Sequence, residues 1–167
     1  YKMQNLALWV PLATIEFAVL DLLGKLAKKS IGELIGTISS RNISVYQANG
    51  DRGISAEETI VRISEEVEKS SAKALKFKVG GRMNNNREHP VGRTEKLIPL
   101  VRKTFGDDMV IYADSNGSYT VDEAIRIGKL MQEYKYDFYE EPVPFDWYEE
   151  TSQVASALTI PVAGGEQ

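Results

Sequence analysis

Cysteine is absent from this 167-residue chain, which excludes a disulfide framework and thiolate chemistry and makes a reducing cytoplasm the expected setting. An excess of positive charge is also lacking. The net charge of −4 argues against a nucleic-acid or anionic-membrane partner, because neither gains from an acidic surface. No apolar stretch is expected to approach the 18 or so residues of a membrane span. The opening YKMQNLALWVPL lacks a signal peptide's cationic start and small-residue cleavage site. It also lacks an initial Met, so the chain is expected to be part of a longer protein. The 43% hydrophobic content suffices for one domain with a substantial core.

What is present is a repeat of acids. Asp114, Glu140 and Glu166 follow one another at intervals of 26 residues, closing the short apolar runs MVIYAD, DFYE and IPVAGGE. That interval suits one strand-plus-helix unit, so one carboxylate is expected at the same end of three successive strands. An earlier run, ALKFK, ends in Lys78, 36 residues before Asp114.

The remaining pattern supports this. Ile15, Val19, Leu22 and Leu26 have helical spacing, predicting a helix over residues 11–29. Strands are predicted at 42–48, 74–79, 109–113, 137–140 and 160–163. Helices are predicted at 55–69, 93–104, 120–134 and 146–157, with capping boxes at Ser55/Glu58 and Thr120/Glu123. Alternating strands and helices imply a parallel sheet with right-handed crossovers. A doubly wound sheet would be complete with five strands, whereas a β/α barrel needs eight units. Four functional groups from four consecutive strands meet at a barrel's mouth but drift apart in a doubly wound sheet. The chain therefore reads as α/β, about the first five strands of a TIM-like barrel.

Three carboxylates are hard donors suited to Mg²⁺, and no nearby His or Cys shifts the choice toward zinc. Each acid alone has a plainer reading: a turn residue at Asp114, an ion pair at Glu140, a tail residue at Glu166. Their shared position at strand ends favours the metal. Lys76 and Lys78 lie two apart on one strand and so share a face, about 6.7 Å apart at the backbone. At an effective dielectric near 20 their repulsion is roughly 2.4 kcal/mol, expected to lower the pKa of one lysine toward the range of a general base. The plain reading, a solvated edge strand, is disfavoured by the apolar Leu75, Phe77 and Val79 between and around them. Asn116 could meet substrate or metal-linked water, although turn propensity alone explains Asn-Gly. Glu141 is expected on the opposite face in a structural ion pair. The polar loop at 80–92 supplies Arg82, Asn84, Arg87 and the sole histidine, His89, as candidate substrate contacts.

KFK, ADSNGSYT, FYEEP and AGGEQ together resemble the enolase superfamily, specifically its mandelate racemase subgroup. The opening TIEFAVLDLLGKLAKKSIGELIG resembles the helix and loop that lead from the family's capping domain into its (β/α)₇β barrel. The resemblance implies residues 1–40 as the end of the capping domain and 41–167 as the first part of the barrel. It implies Asp114, Glu140 and Glu166 as Mg²⁺ ligands, Lys78 as the base and Lys76 as its neighbour. The implied chemistry is removal of the α-proton of a small carboxylate substrate, with Mg²⁺ stabilising the enediolate. A homo-oligomer is the expected assembly. The polar loop favours a polyhydroxylated substrate and hence an acid-sugar dehydratase. A racemase or epimerase of a 2-hydroxy acid is the same-class alternative, and a non-catalytic metal-binding barrel the alternative of another class. The strands in which the subgroup usually carries a His–Asp dyad would follow Gln167, so this stretch alone is expected to be inactive.

Overall fold

In the computed structural model the described residues are 6–83 and 85–165, so Asn84 and Glu166 lie outside them. They fall into two compact units, one extending to Ser44 and the other starting at Val45.

The first unit holds α1 (Leu6–Ala27) and α2 (Ile31–Ile35). Ser30 caps α2, accepting from the Glu33 amide while the Glu33 carboxylate accepts from the Ser30 amide. This helix was not expected, because five residues are too few to show a period. Helix α1 corrects the expectation about long apolar stretches. It is 22 residues long, with mean hydropathy 1.9 over its most apolar window, and by length and composition it could cross a membrane. Glu16 and Asp21 interrupt the run without lowering that mean enough. Within its unit, Trp9, Ile15, Phe17, Leu22 and Leu26 are exposed.

The second unit alternates β1 (Gln47–Ala48), α3 (Ala56–Ser70), β2 (Ala74–Lys78), α4 (Arg93–Phe105), β3 (Val110–Asp114), α5 (Val121–Glu133), β4 (Phe138–Glu140), α6 (Tyr148–Ala157) and β5 (Val162–Ala163). The strands form one parallel sheet in the order β1-β2-β3-β4-β5. Consecutive strands are neighbours, as in a barrel and unlike a doubly wound sheet. β1 is two residues long, although the alternation suggested seven.

One face of the sheet is packed. Leu75, Phe77, Ile111, Ala113 and Tyr139 are fully buried and join Leu97, Ile98 and Val101 of α4 and Ile127 and Met131 of α5 in the core. Lys76, Lys78, Tyr112, Phe138 and Glu140 alternate with them and face the other side, only partly buried. The Ser55/Glu58 capping box forms. The one expected at Thr120 does not: Asn86 Oδ1 accepts the Thr120 amide at 2.8 Å, and Glu123 pairs with Arg126. Gly80, just past β2, has φ +61°, and a Cβ there would lie 2.4 Å from Ser118 Oγ. Only glycine lets β2 end so close to the loop after β3.

Candidate active site

Strand register assembles the site. Lys78 pairs with Asp114, Asp114 with Glu140, and Glu140 with Ala163. The first 26-residue interval thus sets Asp114 and Glu140 side by side. The second overshoots, because Ala163 holds the matching position and Glu166 comes three residues later, outside the described residues.

Asp114 is 1% exposed at the end of β3. Its carboxylate accepts the Asn116 backbone amide at 2.8 Å, the Asn116 side-chain amide at 3.2 Å and a hydrogen bond from Lys78 Nζ. Lys76 Nζ lies 2.5 Å from Glu140 Oε2 and 3.7 Å from Asp114 Oδ2, bridging the two acids, and 5.1 Å from the centre of the Tyr46 ring. Burial opposes the Lys76 charge, but hydrogen bonds to Glu140 and Tyr46 and the charges of Glu140 and Asp114 outweigh it, holding its pKa above the ordinary lysine value. This corrects the expectation of a lowered lysine as far as Lys76 is concerned. Repulsion between two lysines is smaller than attraction to a carboxylate in contact.

These groups line a cavity of about 520 Å³ together with Gly50, Arg52, Arg82 and Asn116. Asn116 (φ +45°) links several of its lining groups. Its Oδ1 accepts from Lys78 Nζ at 2.9 Å and from Arg52 Nη2 at 2.7 Å, while its Nδ2 donates to Asp114 and to Glu141 Oε2. Glu141 is therefore tied to the site through Asn116, a link its expected place on the opposite face did not suggest. Arg82 reaches the cavity. His89 is exposed and does not line it, and Arg87 lines a separate cavity of about 500 Å³ with residues of α4 and α5. The loop turns away because Glu88 accepts the Thr94 amide at the start of α4 and Asn86 binds the loop before α5.

Two features were missed. Arg52 has no motif around it. The aromatic rings of Tyr112 and Phe138, stacked at 3.9 Å with Tyr46 edge-on to Tyr112 at 5.5 Å, floor the same face one row below the acids. The sequence signal for this stack was available: Tyr112 and Phe138 each precede an acid by two residues.

Two hard oxygen donors on adjacent strands, with an ammonium already between them, fit a divalent cation. Among the described residues no third acid or histidine completes a cluster.

Residues 58–167 match the family described as Enolase C-terminal domain-like. The chain belongs to the enolase superfamily. Within it the chain falls in the mandelate racemase subgroup. It is similar to an arabinonate dehydratase of Saccharolobus solfataricus, 29% identical over 91% of this chain and 39% of that one. It is also similar to a D-galactarolactone cycloisomerase of Agrobacterium fabrum, 30% identical over 93% and 39%. Among solved structures it resembles a mandelate racemase/muconate lactonizing protein from Paracoccus denitrificans complexed with magnesium. That match has a TM-score of 0.80 and 30% identity, and covers 89% of this chain and 40% of the other. The chain thus spans about two fifths of the length of these superfamily relatives, and its five-stranded sheet is the matching portion of the enolase-type barrel.

Proposed function

We propose that this chain carries the proton-abstracting and part of the metal-binding machinery of a Mg²⁺-dependent acid-sugar dehydratase. The observation that carries the reading is the row formed by Lys78, Asp114 and Glu140 on three adjacent parallel strands, facing one cavity. In this reading Asp114, Glu140 and Glu166 hold the cation, and residues 1–40 lead from a capping domain into the barrel of 41–167. A bound divalent cation supplies positive charge against the carboxylate of the substrate and the charge that develops beside it.

Lys78 Nζ takes the α-proton, and the partly buried Asn116 network keeps the amine in place. Lys76 contributes a fixed cation next to the acids. Asn116 and Arg82 contact substrate. The C–H bond breaks at the α-carbon and the C–O bond at the β-carbon. The β-hydroxyl leaves as water after accepting a proton, the amine of Lys78 releases the one it took so that the balance closes, and the resulting enol becomes a 2-keto-3-deoxy acid. The dehydratase assignment draws on the arabinonate dehydratase relative, while the cycloisomerase relative makes isomerisation the competing outcome. A cytoplasmic homo-oligomer acting on a small carboxylate completes the proposal.

The test incubates the full-length protein and Mg²⁺ with an acid-sugar library and detects semicarbazone-reactive product. At least one aldonate or aldarate should give a 2-keto-3-deoxy acid. Solvent deuterium entering recovered substrate with inversion, and no keto acid, would select a racemase or epimerase instead. Neither product nor exchange from any sugar would overturn the reading.

A further inference from the structure

Arg52 lines the cavity, and its guanidinium is engaged by main-chain carbonyls and by Asn116 rather than by a carboxylate side chain. Its Nη1 donates to the carbonyl of Gly80 at 2.7 Å and to that of Val79, both just past β2. Its Nη2 donates to Asn116 Oδ1 at 2.7 Å, in the loop after β3. Arg52 follows β1, so one planar guanidinium ties together the ends of three neighbouring strands. Burial pushes its pKa down, with the nearby Asp114 opposing that, yet it remains a cation at any ordinary pH.

The consequence lies in the orientation of the Asn116 amide. An asparagine side chain can present either its oxygen or its NH₂ group to a neighbour. Here the oxygen faces Lys78 and the NH₂ group faces Asp114 and Glu141. Arg52 offers only donors and the two carboxylates only acceptors, so the reversed amide would set donor against donor on the Arg52 side and acceptor against acceptor on the other. A neutral lysine amine has two N–H bonds and one lone pair. Facing an oxygen, it gives that oxygen an N–H and keeps its lone pair directed elsewhere. Facing an NH₂ group, it would surrender the lone pair to a hydrogen bond.

We propose that Arg52 is a positioning residue: by fixing the oxygen of Asn116 toward Lys78, it leaves the lone pair of the neutral Lys78 amine free to accept a proton in the cavity. This rests on the reading of Lys78 as the proton acceptor. Arg52 touches neither reacting atoms nor the acids' side chains; besides the Val79, Gly80 and Asp114 carbonyls it reaches only Asn116, the one of these partners whose side chain bonds Lys78 Nζ.

The experiment compares Arg52→Met, Asn116→Ala and the double variant in the full-length protein, with Lys78→Met as control. It records kcat, KM, Mg²⁺ affinity by calorimetry and the thermal midpoint. Arg52→Met should lower kcat about 10- to 100-fold, the scale of losing an orienting contact one step from the chemistry, with KM and Mg²⁺ affinity changed less than about threefold. The double variant should be no slower than Asn116→Ala, because residues acting in one chain do not add. Arg52→Lys should not rescue, since one ammonium lacks the flat fork that reaches both strand ends. Should Arg52→Met fold poorly, Arg52→Leu assayed below its thermal midpoint reads the same comparison, since it too offers Asn116 no donor. An unchanged kcat, multiplying losses in the double variant, or parallel changes in kcat, KM and Mg²⁺ affinity would overturn the proposal. Full turnover by Lys78→Met would overturn the underlying reading instead, so the two failures are distinguishable.

Discussion

Replacing Lys78 by Met is expected to lower turnover by about 10³-fold, within the range for removing a general base, while leaving Mg²⁺ affinity no weaker. Methionine matches the length of the lysine stem but has no amine. In the structure Lys78 donates to Asp114 Oδ2 and to Asn116 Oδ1, so the variant loses one hydrogen bond at each. Asp114 keeps both Asn116 donors and the nearby Lys76, and its carboxylate therefore stays placed. Loss of a cation beside the acids also removes a competitor for them. Kinetics on the substrate found by the acid-sugar screen, with calorimetric Mg²⁺ titration alongside, separate the two effects. Retention of more than a tenth of the turnover would remove Lys78 from the chemistry.

The largest expected effect on stability is at Arg93. Its side chain is 2% exposed and donates to the carbonyls of Ile54 at 3.0 Å, Lys78 at 2.9 Å and Asp51 at 2.8 Å, and to Thr59 Oγ1 at 3.1 Å. One guanidinium thus satisfies the backbone leaving β1, the start of α3 and the last residue of β2. Arg93→Met leaves three carbonyls and a hydroxyl without that donor. Each buried polar group left unmet costs about 1–3 kcal/mol, offset in part because a charge need no longer be buried. The expected net destabilisation is about 3–5 kcal/mol, read from urea unfolding midpoints at unchanged slope. A loss below about 1 kcal/mol would mean that water or neighbouring donors replace the guanidinium. One of these carbonyls belongs to Lys78, so Arg93 also holds the backbone of the proposed proton acceptor.

Much of the sheet was legible because its alternation is plain. In ALKFK the apolar Leu75 and Phe77 must enter the core, which forces Lys76 and Lys78 onto the other face. Asp114 and Glu140 were legible for a similar reason, each closing a short apolar strand. Equal spacing in sequence ignores crossover length, so the second interval does not fall on the residue paired with Glu140, and Glu166 itself lies outside the described residues. The connection through α6 is shorter, so Ala163 reaches the row first. Thr120 and Glu123 have capping-box spacing, but Asn86 of the loop after β2 and Arg126 one turn along α5 engage them first. Arg52 was invisible for another reason. Its partners are backbone carbonyls 27 and 28 residues away and an asparagine 64 residues away, and no local pattern encodes such contacts. Helix α1 was read from a single stripe of four apolar positions, whereas apolar side chains occur all around it.

Calorimetric titration of the full-length protein with Mg²⁺, set beside Asp114→Asn, tests the central claim most directly. The account expects saturable binding to the unaltered protein and a loss of affinity of at least about 100-fold in the variant, more than a group outside the metal's own ligands would cause. Equal affinity in both, or no binding to the unaltered protein, would contradict a metal centre formed by the acids that cap these strands.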